Sequence, residues 1–157
     1  MKETLKSKVE EALSYGEKYF NCCTAVLAAY APELGMDREL AVRLTRGMPG
    51  IGCLDNVCGA VSGATMVIGL KTSNENNIND MEAQHKTNEI VREFVARFRD
   101  RYSSIECREL LGYDISTREK VEAAVKEGAF INCNKYVGYA VEILEELFSL
   151  NESSRQK

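Results

Sequence analysis

Six cysteines hold most of the reactive chemistry in this chain, and four of them share one local context. Cys22 follows Asn21, Cys133 follows Asn132, Cys58 lies two residues after Asn56, and Cys107 lies three after Ser104. Asn and Ser are good helix N-caps, so each of these cysteines reads as a first-turn residue. Helix N-termini present unpaired N–H groups and a partial positive charge. Both favour thiolate over thiol, which lowers the cysteine pKa and makes the sulfur a nucleophile or a metal ligand. Arg108 and Lys135, close in sequence to two of the thiols, add to that field, and Arg46 is a third electrostatic neighbour.

The four are dispersed singly along the chain. They form neither the C-x₂-C knuckles of a zinc finger, nor a ferredoxin run, nor a thioredoxin C-x-x-C. Only tertiary folding can bring them together. A converged tetrathiolate carries net negative charge, which helix N-termini stabilise without many basic side chains. The competing reading makes them small buried hydrophobes, as free cysteines often are. Caps and count leave both open.

The segment Cys58-Gly-Ala-Val-Ser-Gly63 adds a second signal. Gly59 and Gly63 are four apart, so one helix face has almost no side chain and permits close backbone approach. That makes room beside Cys58 for a bulky cofactor or a disulfide. It equally lets two helices pack tightly.

The elements that must position these residues read as helices. Leu5, Val9 and Leu13 give an amphipathic first helix from about Glu3 to Tyr15. A second begins at Asn21-Cys22 and carries Val26, Leu27 and Tyr30 before Pro32 discourages continuation. Asp37 caps a third with Leu40, Ala41 and Leu44, which stops near Gly47. GMPGIG then reads as an irregular loop, and it lacks the Lys and Ser/Thr of a phosphate-binding P-loop. A fourth helix runs from near Cys58 to about Leu70, followed by the exposed loop TSNENNIND. Val91, Phe94, Val95, Phe98 and Tyr102 give the clearest helical period. A short turn from Cys107 to Gly112 leads to Ser116-Thr-Arg-Glu119, a capping box opening a helix that Gly128 closes. The last helix carries Val137, Val141, Leu144, Leu147 and Phe148. With no period-two alternation and no internal repeat, the expectation is an all-α bundle of about six to eight helices. Residues 1–150 form one domain, and the polar tail 151–157 frays.

Composition narrows the setting. For 157 residues, 45% hydrophobic and 28% charged, a wholly disordered chain is ruled out. Twenty basic against 24 acidic side chains give a net charge of −4 and no basic stripe, which argues against nucleic-acid partners. No apolar run approaches a membrane span, and the charged N-terminal segment is not a secretory signal. A cytoplasmic location follows as the expectation, where such cysteines are free, metal-bound or redox-active. His85, the single histidine, lies in the polar stretch MEAQHKTN and reads as solvated. Glu10-Glu11 and Glu145-Glu146 read as solvated helix faces, because sequence neighbours do not face each other on a helix. Met48 and Met66 suggest packing only.

At CGAVSG the sequence resembles a redox-active family named for its cysteine pattern, the C_GCAxxG_C_C family. The resemblance extends from NCCTAVLAAY through LTRGMPGIG, NVCGAVSGATMVIGL and IECRELLGYD to INCNKYVGYAVEIL. The family's four defining cysteines fall on Cys22, Cys58, Cys107 and Cys133, the four that the capping argument selects. The family is typical of anaerobic prokaryotes and is similar to the non-haem domain of split-Soret cytochromes, whose cysteines are associated with an iron–sulfur centre. The chain has no C-x-x-C-H, so covalent haem is not expected. It departs from the pattern at Cys23, beside Cys22, and at Cys53, in a loop that is usually Gly-rich; either can substitute for a neighbour as ligand.

Three functions compete. In the first, Cys22, Cys58, Cys107 and Cys133 hold an iron–sulfur cluster for electron transfer or redox sensing, with Gly59, Gly63, Arg108 and Lys135 around it. The second is a metal-free thiol–disulfide oxidoreductase using the same cysteines, Cys58 pairing with Cys53 or Cys22 with a distant partner. The third is a helical module with a structural zinc, or merely buried cysteines. The expected partner is a redox protein, with no membrane insertion and with room for a homo-oligomer.

Overall fold

A computed structural model describes residues 7–48 and 57–155. Among them are eight α-helices and no strand: α1 (Lys8–Tyr19), α2 (Cys22–Tyr30), α3 (Arg38–Thr45), α4 (Gly59–Thr72), α5 (Met81–Tyr102), α6 (Cys107–Leu111), α7 (Arg118–Lys126) and α8 (Cys133–Arg155). The all-α expectation therefore holds.

Helix α2 is the axis of the packing. Every residue from Cys23 to Tyr30 is buried, because α1, α3, α4 and α8 all lie against it. A helix that is apolar on all sides can satisfy itself only in such a central position. The surrounding helices turn apolar residues inward: Val61 and Ile68 from α4, Phe94 and Phe98 from α5, and Val141 and Leu144 from α8 are buried. The period read at Val91–Tyr102 is thus the core face of α5. A smaller apolar cluster of Cys107, Ile115, Ala124 and Ala129 ties α6 and α7 to the turn before α8.

Local chemistry sets the boundaries. Ser7 and Glu10 form a reciprocal capping box at the start of α1. That helix runs on to Tyr19, past the expected end at Tyr15, while residues 3–6 of the expected helix lie outside the described residues. Asp37 accepts from the Leu40 amide at 3.0 Å, as read. On α3, however, Leu40 and Leu44 face solvent while Ala41 and Thr45 are buried. The small residues let α3 lie close to α2, where Thr24 and Thr45 share a buried 2.8 Å hydrogen bond. At α7 the cap is Thr117, not Ser116, so Glu119 does not close a box. Gly128, at φ 75°, supplies the left-handed residue beyond that helix. The turn expected at Cys107–Gly112 is a one-turn helix, and α8 stays helical through Arg155, into the polar end of the chain.

Candidate functional site

Four helix starts meet at one place. Cys22 opens α2, Cys107 opens α6, Cys133 opens α8, and Cys58 is the N-cap residue of α4. All four line a single cavity of about 390 Å³.

Each start is built differently. The Asn21 carboxamide accepts from the Thr24 amide at 3.0 Å and donates to the Thr45 carbonyl at 3.2 Å, fixing the first turn of α2 against α3. The Cys58 amide donates to the Ile105 carbonyl at 2.7 Å. Together with an isolated antiparallel bridge between Val57 and Glu106, this joins the chain just before Cys58 to the chain just before Cys107. Ser104 is not the cap of α6 that its spacing suggests: its hydroxyl accepts from the Glu106 amide at 3.0 Å and braces the approach. Asn132, directly before α8, is the last residue of a 3₁₀ turn, Ala129–Asn132, that feeds into that helix. Asn56 lies outside the described residues.

Burial modifies the expected electrostatics. Burial drives the Cys58 thiol up to about 11, although the Ala60 and Val61 amides pull the other way. Those two N–H groups are the helix-terminus effect read from sequence, and desolvation outweighs it. Cys22 is pushed well above its ordinary value by its side-chain hydrogen bond with Cys133 and by burial. Cys133 is lowered by the same interaction. The general lowering expected for all four thiols is therefore wrong in direction at Cys22 and Cys58. Cys22 and Cys133 are thus hydrogen-bonded partners whose thiols shift in opposite directions, Cys22 up and Cys133 down.

The Gly59–Gly63 face is a helix crossing. A Cβ at Gly59 would lie 2.9 Å from the Cys23 nitrogen and 3.0 Å from the Cys22 Cβ, and one at Gly63 would lie 2.8 Å from the Cys23 carbonyl oxygen. Of the two sequence readings for this motif, tight packing is realised by both glycines, while Gly59 also lines the cavity. Cys23 is fully buried, with its sulfur 4.0 Å from that of Met66, and does not line the cavity. Cys53 lies outside the described residues.

The basic residues point elsewhere. Arg108 lies 3.6 Å from Asp114, Lys135 sits over the rings of Tyr136 and Tyr102 at 5.1 and 5.9 Å, and neither lines the cavity. Arg46 lines a second, neighbouring cavity together with Asn21 and Phe20. His85 is exposed on α5, as read.

Sequence reasoning missed Tyr136. It is buried against the cavity, donates its hydroxyl to the Leu110 carbonyl at 2.8 Å and meets Tyr102 edge-on at 4.9 Å. The i+3 step from Cys133 to Tyr136 along α8 was the available signal. Also missed was the apolar wall made by Phe20, Val121, Val125, Phe130 and Ile131.

All four thiols line the cavity, with Cys22 and Cys133 hydrogen-bonded to each other. Among the described residues, no three His, Cys, Asp or Glu side chains come close enough together to hold one metal ion. Nor is any described helix long and apolar enough to cross a membrane.

A family model described as "Putative redox-active protein (C_GCAxxG_C_C)" matches residues 20–147, which takes in all four cavity cysteines. No curated protein and no solved structure matches the chain.

Proposed function

This chain belongs to the C_GCAxxG_C_C family, and on that premise we propose that the four-thiol cavity is its redox centre, with Cys22, Cys58, Cys107 and Cys133 holding an iron–sulfur cluster. The observation that carries this reading is the convergence of four separately placed cysteines on one cavity. The donor set fits the group: four sulfurs, and no histidine, carboxylate, lysine or arginine among the described lining residues. All-cysteine ligation suits iron–sulfur chemistry, and dispersed single cysteines are less usual for structural zinc than paired C-x₂-C knuckles. Such a cluster, when bound, supplies one-electron exchange.

The chain's own residues set the conditions for that exchange. The Ala60 and Val61 amides reach the Cys58 sulfur, and N–H groups directed at ligand sulfur stabilise the more negative state and raise the potential. Tyr136 and Val137 close the floor with buried side chains. Asn21 holds Cys22 in register.

A second reading rests on the Cys22–Cys133 pair. Attack of the Cys133 thiolate on a disulfide RSSR′ forms a mixed disulfide and releases one thiolate. Cys22 then displaces the second, leaving a Cys22–Cys133 disulfide and two reduced thiols.

Iron, labile sulfide and zinc assayed in anaerobically purified protein separate the readings. Stoichiometric iron and sulfide with a broad visible band is the expected result. Zinc alone would contradict the cluster. A metal-free protein that an oxidised dithiol converts to a Cys22–Cys133 disulfide would replace it with the second reading.

A further inference from the structure

Part of the cavity lining has a chemistry that electron exchange at the thiols does not require. That part is Phe20, Val121, Val125, Phe130 and Ile131. Three of these stand in solvent: Phe20 is 83% exposed, Ile131 78% and Val125 58%. Large apolar side chains clustered on an exposed rim mark a surface that something covers. Phe20 is also held at φ 54°, a left-handed conformation uncommon for a bulky residue.

Charge and size then select the occupant. No Lys, Arg or His is among the described lining residues, so an anionic ligand would shed its water with no opposite charge to meet it. At about 390 Å³ the space lies within the range of small-molecule sites. Asn134 is exposed at the rim, and no hydrogen bond ties its amide to another described residue. It is the polar group placed to orient a guest. The amides at the helix starts favour anions, but those at Cys58 are directed at its sulfur.

We propose that this cavity binds an uncharged, largely apolar small molecule of aromatic size, carrying one hydrogen-bonding group for Asn134, beside the thiols. The proposal deepens the redox reading, since it rests on this cavity being the working site and names the class of molecule that reaches it.

2-Naphthol and naphthalene-2-sulfonate share a ring system and differ in charge at neutral pH. Each is titrated into the full chain, with the backbone amide shifts of Val125, Ile131 and Asn134 as readout. Saturable shifts with 2-naphthol are expected, with binding of the sulfonate at least about tenfold weaker. The double variant Val125→Glu/Ile131→Glu changes two exposed side chains, and its amide dispersion reports that it folds. It is expected to weaken 2-naphthol binding by about tenfold or more. Sulfonate binding as tight as that of 2-naphthol would make this an anion site and overturn the proposal. So would silence at these three amides, or unchanged affinity in the folded double variant. Protein that carries iron and sulfide yet ignores 2-naphthol sinks this proposal alone; protein that binds 2-naphthol but never gains a chromophore sinks the cluster alone.

Discussion

Gly59 approaches Cys23 so closely that a Cβ on the glycine would sit 2.9 Å from the Cys23 nitrogen. The contact lies one residue from Cys58 on one helix and one residue from Cys22 on the other. The crossing of α2 and α4 therefore sets the separation of two of the four cavity thiols.

The crossing itself can be tested by stability. Gly63→Ala forces a methyl to within 2.8 Å of the Cys23 carbonyl oxygen and is expected to destabilise the fold by about 1–3 kcal/mol. Gly69→Ala, on the same helix with nothing within 4 Å of the added Cβ, is expected to be neutral or to stabilise by up to about 1 kcal/mol. Urea midpoints of the two variants check the contrast.

Much of this arrangement was legible because helical periodicity and the CGAVSG motif are local signals. The core stripe of α5 and the four cysteine positions could be read directly. The capping logic located the helix starts better than it identified their causes: the Asn21 side chain caps its helix, whereas Ser104 braces a loop and Asn132 ends a 3₁₀ turn. The direction of the thiol shifts was not legible, since it depends on tertiary contacts: at Cys22 the hydrogen bond with Cys133 and burial, at Cys58 burial that outweighs the helix-start amides. The apolar rim was invisible for a related reason. Phe20, Val125 and Ile131 come from three separate segments, and no sequence period links them.

Asn21 ties local structure to the site. Asn21→Ala removes its acceptor for Thr24 and its donor to Thr45, which is expected to cost about 1–2 kcal/mol. Because Cys22 is the next residue, the variant should also retain less iron per chain than wild type. Thermal denaturation and iron analysis report the two effects separately.

In reduced, metal-free protein the thiols should differ in reactivity. Cys133 is held low by Cys22, so iodoacetamide near neutral pH is expected to modify it first, with Cys23 and Cys58 modified only on unfolding. Cys22→Ser removes the thiol partner and should slow alkylation of Cys133. Peptide mapping of partially alkylated protein gives the order.

Alkali should weaken the metal-free fold through Cys23. Burial raises its thiol from an ordinary value of 9.0 to about 12. Between those values the unfolded chain has lost this proton while the folded chain keeps it. Stability is therefore intact below about pH 9 and falls as pH rises toward about 12. Cys23→Ala lacks the titrating group and should lose less stability over the same interval, as read from denaturation midpoints across pH.

The most direct test of a single four-cysteine centre is the visible spectrum of anaerobically purified serine variants. Cys22→Ser, Cys58→Ser, Cys107→Ser and Cys133→Ser are each expected to abolish or grossly alter the charge-transfer band, while Cys23→Ser leaves it intact. A band that persists unchanged in Cys58→Ser, or disappears in a folded Cys23→Ser, would contradict the assignment.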